Sequence, residues 1–249
     1  MTVAAPSFNG FPREAIQFLA DLAQHNDRSW FQPRKADYER LLKEPMERLI
    51  MALAARFASL ELPLEADPKR SPFRIYRDTR FSRDKSPYKT HLGATFPWRE
   101  PVAPGTPAQS ASATGGGAAM GDDRAHGNGA YFNFQPGEMY VGGGMWMAER
   151  PRLEAFRRAI VDDPVRVREA LEEPGFVAWF GGAQGHESLK RVPPGYPPDH
   201  PQADRLRWKD IVFGRRLSDD EVCSPDLPDL LADGYLAAVP VFRFLATLR

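Results

Sequence analysis

The hydrophobic period changes twice along this chain, and those changes limit the possible folds more than any other feature. Over the first third, apolar residues recur at helical spacing: Ile16, Phe18, Leu19 and Leu22, then Tyr38, Leu41 and Leu42, then Met46, Leu49, Ile50, Leu53 and Phe57. Pro12 suits a first helical position, so a helix is predicted over Pro12–His25, ending at Asn26-Asp27. Pro45 falls inside the second pattern and predicts a break or kink, because it lacks the amide hydrogen and clashes one turn back. The middle turns short, aromatic and β-branched. Phe73–Phe81 and Thr90–Trp98 read as partner strands around Ser86-Pro87, and Ala130–Gln135 and Glu138–Met147 read as a hairpin around Pro136-Gly137. Helical spacing then returns. Pro151 and Pro164 each open a helix, Val192 to Pro201 is irregular, and a short strand falls near Ile211–Phe213. A terminal helix, roughly Leu227–Leu248, is interrupted at Pro240. Helices, strands and helices again predict an α+β fold, a central antiparallel sheet covered by N-terminal and C-terminal helices.

A length of 249 residues suits one large domain or two small ones. A hydrophobic fraction of 42% supplies a sizeable core. Residues 101–129 stand apart, since 21 of the 29 are Ala, Gly, Ser, Thr or Pro. Such a run buries too little apolar surface to offset its ordering entropy, so a flexible low-complexity loop is expected there. It falls between two strands of one sheet, so one α+β domain is expected over residues 1–249. Lys+Arg and Asp+Glu both total 33, and a zero balance makes nucleic acid an unexpected partner. Cys223 is the only cysteine, which removes internal disulfides and leans towards the cytoplasm. No basic segment followed by an apolar one opens the chain, and no apolar run approaches the ~20 residues of a membrane span. The expectation is a soluble, cytoplasmic protein that does not enter the membrane. His25, His91, His126, His186 and His200 show no metal-ligand spacing, so neither metal nor cofactor is expected. The oligomeric state is left open.

The densest chemical signal lies between Arg74 and Lys89. Arg74, Arg77, Arg80, Arg83, Lys85 and Lys89 stand against only Asp78 and Asp84, a local net charge of +4 across Ser71–His91. Strand alternation puts Arg74, Tyr76, Asp78 and Arg80 on one face, with Ile75, Arg77, Thr79 and Phe81 on the other. Guanidinium groups pair phosphate and carboxylate bidentately, so Arg74, Tyr76, Arg77, Asp78, Arg80, Asp84, Lys85, Tyr88 and Lys89 suit an anionic small molecule, a phosphate ester first. A flat basic patch for an acidic partner or nucleic acid is the alternative. An Arg–Asp network that fastens the sheet is the third reading. His200, beside Asp199 in the proline-rich loop, suits either a general base or a cap on a helix starting at Pro201.

Two other features read as structural. Gly142-Gly143-Gly144 lies inside a strand pattern and opens no helix, so it reads as a bulge or close packing. Tyr140 and Trp146 beside it read as core or pocket wall. Cys223 sits among Asp219, Asp220, Glu221 and Asp226, which raise a thiol pKa and discourage a nucleophile.

The run Arg74-x-x-Arg77-Asp78-x-Arg80-Phe81 with Asp84-Lys85-x-Pro87-Tyr88-Lys89 resembles the signature of a mainly bacterial family called domain of unknown function 2461. Trp30-Phe31 with Lys35 and Tyr38, Gly142 to Trp146, and Leu189-Lys190-Arg191-Val192-Pro193 with Gly195-Tyr196 and Asp199-His200-Pro201 agree with it. The resemblance runs from about Phe11 to the C-terminus, and residues 101–129 are longer and more biased than that family leads one to expect. It implies a single α+β domain and carries over no catalytic residue.

Overall fold

A computed structural model of the chain describes residues 7–80, 83–99 and 127–249. Helix α1, Arg13–Gln24, follows Pro12 and buries Ala15, Phe18, Leu19 and Leu22, the face that the helical spacing marks. The Asp27 carboxylate then accepts the Trp30 amide at 2.9 Å and caps α2, Arg28–Phe31. The path runs on through a 3₁₀ turn at Gln32–Arg34, α3 at Lys35–Tyr38 and a π turn at Glu39–Lys43 into α4, Glu44–Ser59. Pro45 lies in the first turn of α4, and the expected break is replaced by the wider turn just before it, which accommodates a residue that cannot donate to the helical ladder.

Four strands form the sheet in the order β1 (Leu92–Pro97), β2 (Gly127–Phe134), β3 (Tyr140–Trp146) and β4 (Ile211–Arg216), each pair antiparallel. The β2–β3 hairpin closes where Gly137 takes a φ of +76° and the Glu138 amide donates to Gln135 O at 2.9 Å, the turn that Pro136-Gly137 favours. Two strand expectations need correction. Gly127, Asn128 and Gly129, read as the end of a loop, open β2 opposite Trp146, Met145 and Gly144; the rest of that expected loop, 101–126, lies outside the described residues. Residues 73–80 form no strand, and Phe81, the end of that expected strand, lies outside the described residues. The described part lies along the free edge of β1 with spaced bonds only: Phe73 N–H to Gly93 O at 2.9 Å, Lys89 N–H to Ile75 O at 2.7 Å, and Arg77 N–H to Pro87 O at 3.0 Å. The pairing slips two residues between Gly93 and Lys89, and Pro72 and Pro87 have no amide hydrogen, so no regular ladder forms. Leu64 also meets Trp98 on this edge, and Gln184 meets Val212 on the opposite one.

Helices α5 (Arg150–Asp162), α6 (Pro164–Leu171), α7 (Pro174–Phe180) and α8 (Ala203–Leu206) lie between β3 and β4. After β4 come α9 (Asp219–Cys223), α10 (Leu227–Ala237) and α11 (Val239–Ala246), the last two divided at Ala238, just before Pro240, where the interruption is expected. One face of the sheet is packed on helices. Phe96 meets Phe57 of α4 and Tyr235 of α10, Trp98 stacks on Phe242 of α11 at 5.3 Å, and Phe213 meets Phe176 and Phe180 of α7. Each such ring contributes roughly 1.5–3 kcal/mol by leaving water. No helix among the described residues is long and apolar enough to cross a membrane.

Candidate functional site

The basic strip from Ser71 to His91 keeps the predicted alternation without the ladder. Ile75 turns into the core and Phe73 is buried beside Tyr131, while Arg74, Tyr76, Asp78 and Arg80 face solvent. Much of its charge is answered within the strip. Asp78 takes the Arg80 guanidinium at 3.0 and 2.6 Å and the Arg80 amide at 3.1 Å, which together hold its carboxyl down at about 2. Asp84 accepts the Ser86 amide at 2.9 Å and pairs with Arg77, and it too is held at about 2. Arg77 donates to Ser86 Oγ at 2.6 Å, and Lys85 Nζ to Thr79 O at 2.8 Å. Arg74, Arg83 and Lys85 are exposed and form no ion pair among the described residues.

Tyr88 and Lys89 point the other way. Tyr88 is 1% exposed and stacks on Phe31 at 4.1 Å, and both its backbone groups are held by the side chain of Asn26, at 2.9 and 3.0 Å. Lys89 is buried with its ammonium 4.9 Å above the Phe73 ring. Beside them, burial and then the charges of Lys89 and Arg77 push the His91 imidazole down to about 4. His200 does not join this group. Its Nδ1 accepts the Gln202 amide at 3.1 Å in the turn before α8, which starts at Ala203 and has no side-chain cap, so His200 does not cap a helix starting at Pro201. The Cys223 thiol is pushed up, by burial first and then by Asp219 and Asp220.

A concave feature lies elsewhere, on the sheet face that no helix among the described residues covers. Alternation along β3 turns Tyr140, Gly142, Gly144 and Trp146 to this side. Register places Tyr131 of β2 and Gly214 of β4 on either side of Gly142, and Gly129 and Val212 on either side of Gly144. Four glycines therefore adjoin on a face that larger residues ring, and a groove of about 520 Å³ lies above them. Tyr140, Glu138 and Arg216 line one end, Trp146 and His186 the other, with Thr95 and Tyr131 along one side and Gln184 along the opposite one. The outward positions Tyr140 and Trp146 are about 20 Å apart along the strand. His186 leans on Trp146, ring centres 4.8 Å apart, and its amide is fixed at 2.6 Å by the buried Asp210 carboxylate.

The glycines are not equivalent. A Cβ on Gly142 would lie 2.3 Å from the Phe213 carbonyl oxygen, one on Gly144 2.2 Å from that of Ile211, and one on Gly129 2.7 Å from that of Phe96. These three answer to close approach of backbone, as the strand reading of Gly142-Gly143-Gly144 expects. A Cβ on Gly214 meets nothing nearer than 3.4 Å, so the fold tolerates a side chain there. The two tyrosines of the groove share a hydrogen bond, and Tyr131 bonds Asn133 Oδ1 at 3.2 Å. Burial raises both phenols, Tyr140 to about 12 and Tyr131 further, so both keep their protons at neutral pH and act as hydrogen-bond donors. None of Arg74, Arg77, Arg80, Lys85 and Lys89 lines this groove. One local signal for it is visible in the chain, the alternation aromatic, glycine, glycine, aromatic from Tyr140 to Trp146.

Among the described residues, a four-stranded antiparallel meander with helices on one face and a glycine-floored groove on the other defines an α+β protein. The chain belongs to the family described as Conserved hypothetical protein (DUF2461), which matches residues 14–244. No curated protein and no solved structure matches it.

Proposed function

We propose that this is a small-molecule-binding protein of the cytoplasm, and that its ligand lies in the groove over Gly129, Gly142, Gly144 and Gly214. Gly214 carries this reading. Glycine inside a strand costs about 0.5–1 kcal/mol relative to alanine, and close backbone approach accounts for the other three but not for this one. What its missing side chain leaves is room, in a groove whose volume falls within the roughly 300–1,000 Å³ usual for small-molecule sites. The cytoplasmic assignment rests on the single cysteine. Ligand-observed NMR with a fragment collection tests the reading. Hits on the wild type should disappear in Gly214→Leu while its circular dichroism and Tm stay unchanged. Hits that persist in Gly214→Leu would remove the groove from consideration.

A second reading keeps an anion at the basic strip, either a phosphate ester or an acidic partner. The exposed Arg74, Arg83 and Lys85, with both local carboxylates already engaged, support it. Inorganic phosphate should then raise the Tm, and added sodium chloride should erode the gain. A Tm indifferent to phosphate would rule it out.

A further inference from the structure

We infer that the groove takes a free aromatic amino acid, its ring on the glycine floor and its ammonium and carboxylate at Glu138 and Arg216. The inference rests on the groove being a ligand site, and it adds the class of ligand. Register sets Arg216 opposite Tyr140, and Glu138 precedes Tyr140 by two residues, so both charges stand at the same rim. They do not neutralise each other. Arg216 Nη1 donates to Gly137 O at 3.0 Å, Glu138 Oε2 accepts from Gln135 Nε2 at 3.3 Å, and neither forms an ion pair among the described residues.

Two opposite charges side by side and unjoined complement a ligand that carries both. A purely anionic ligand would leave the carboxylate opposed, and a purely cationic one the guanidinium. A residue at the end of a peptide offers only one of the two charges, which selects the free amino acid. The floor selects the side chain. Bare backbone at Gly142 and Gly214 lets a flat ring approach the peptide planes, and Tyr131 and Tyr140 beside them supply aromatic walls. One outward step along β3, about 7 Å, separates the charged rim from the first glycine, the reach from an amino-acid headgroup to its ring.

Isothermal titration with L-phenylalanine, phenethylamine and 3-phenylpropionate tests this, the latter two each lacking one charge. L-Phenylalanine should bind at least about tenfold tighter than either, the usual worth of a charge-assisted hydrogen bond. Arg216→Gln should bring it level with phenethylamine and Glu138→Gln level with 3-phenylpropionate. Gly214→Leu should abolish binding of all three, with Gly214→Ala as the folded control. If the three compounds bind equally to the wild type and Gly214→Leu still abolishes them, the amino-acid assignment fails while the groove stands. If none binds, or Gly214→Leu changes nothing, both fail. A dimer that Gly214→Leu converts to monomer would also overturn both, with a second copy of the chain as the occupant.

Discussion

Gly144 and Gly214 lie on the same sheet face, yet a methyl group at each meets opposite circumstances. At Gly144 it strikes the Ile211 carbonyl, and the φ of +120° is one that side chains avoid, so Gly144→Ala should cost more than about 2 kcal/mol in urea unfolding. At Gly214 it finds space in extended backbone, and Gly214→Ala should be neutral or gain up to about 1 kcal/mol. Equal losses at the two positions would contradict the register described above. His91 sets a pH dependence of its own. With its folded pKa near 4 against 6.5 for the free side chain, the unfolded chain binds the extra proton between those values. Stability is intact above pH 6.5, falls as the pH drops towards 4, and levels off below. His91→Gln should flatten that stretch of the curve. In the sequence these residues differ little: a glycine in a strand pattern announces close approach, but which glycine borders a groove depends on neighbours on other strands.

Among the elements, the side chain of Asn26 ties the basic strip to the N-terminal helices alongside the stacking of Tyr88 on Phe31. Asn26 imitates a strand, its amide donating to Tyr88 O and its carbonyl accepting Tyr88 N–H. Asn26→Ala removes both bonds and should lower stability by about 2 kcal/mol, with a matching rise in hydrogen exchange at Tyr88 and Lys89. Arg80→Ala should leave Tm nearly unchanged, because that side chain is 78% exposed and its partner Asp78 is itself 36% exposed. Unfolding on that change would give the strip a structural role. The helices were legible because prolines and helical spacing agree at Pro12, Pro151, Pro164 and Pro240. The solvent face of Arg74, Tyr76, Asp78 and Arg80 was legible as well, since alternation survives even where the ladder does not. The burial of Tyr88 was not, because it depends on Phe31 and Asn26 some sixty residues away. The groove was half legible. Tyr140 to Trp146 shows its pattern, but Gly214, Arg216 and His186 join it through pairing that no local window contains.

At the scale of the molecule, buried side chains form one continuous cluster from Phe8 to Leu248, so both terminal thirds share a core with the sheet. A single unfolding transition is expected, with calorimetric and van't Hoff enthalpies equal; two separated transitions would divide the core. The irregular segments beside β1 and β4 carry a further consequence. A sheet of four strands ordinarily offers two seams along which another extended chain can be stitched. Here Leu64 and Phe73 occupy one, Gln184 occupies the start of the other, and Arg215 and Arg216 charge its remainder. Crowding this protein should therefore not promote fibre growth by strand addition, and what its sheet presents to the surrounding solution is a tabletop rather than a zipper.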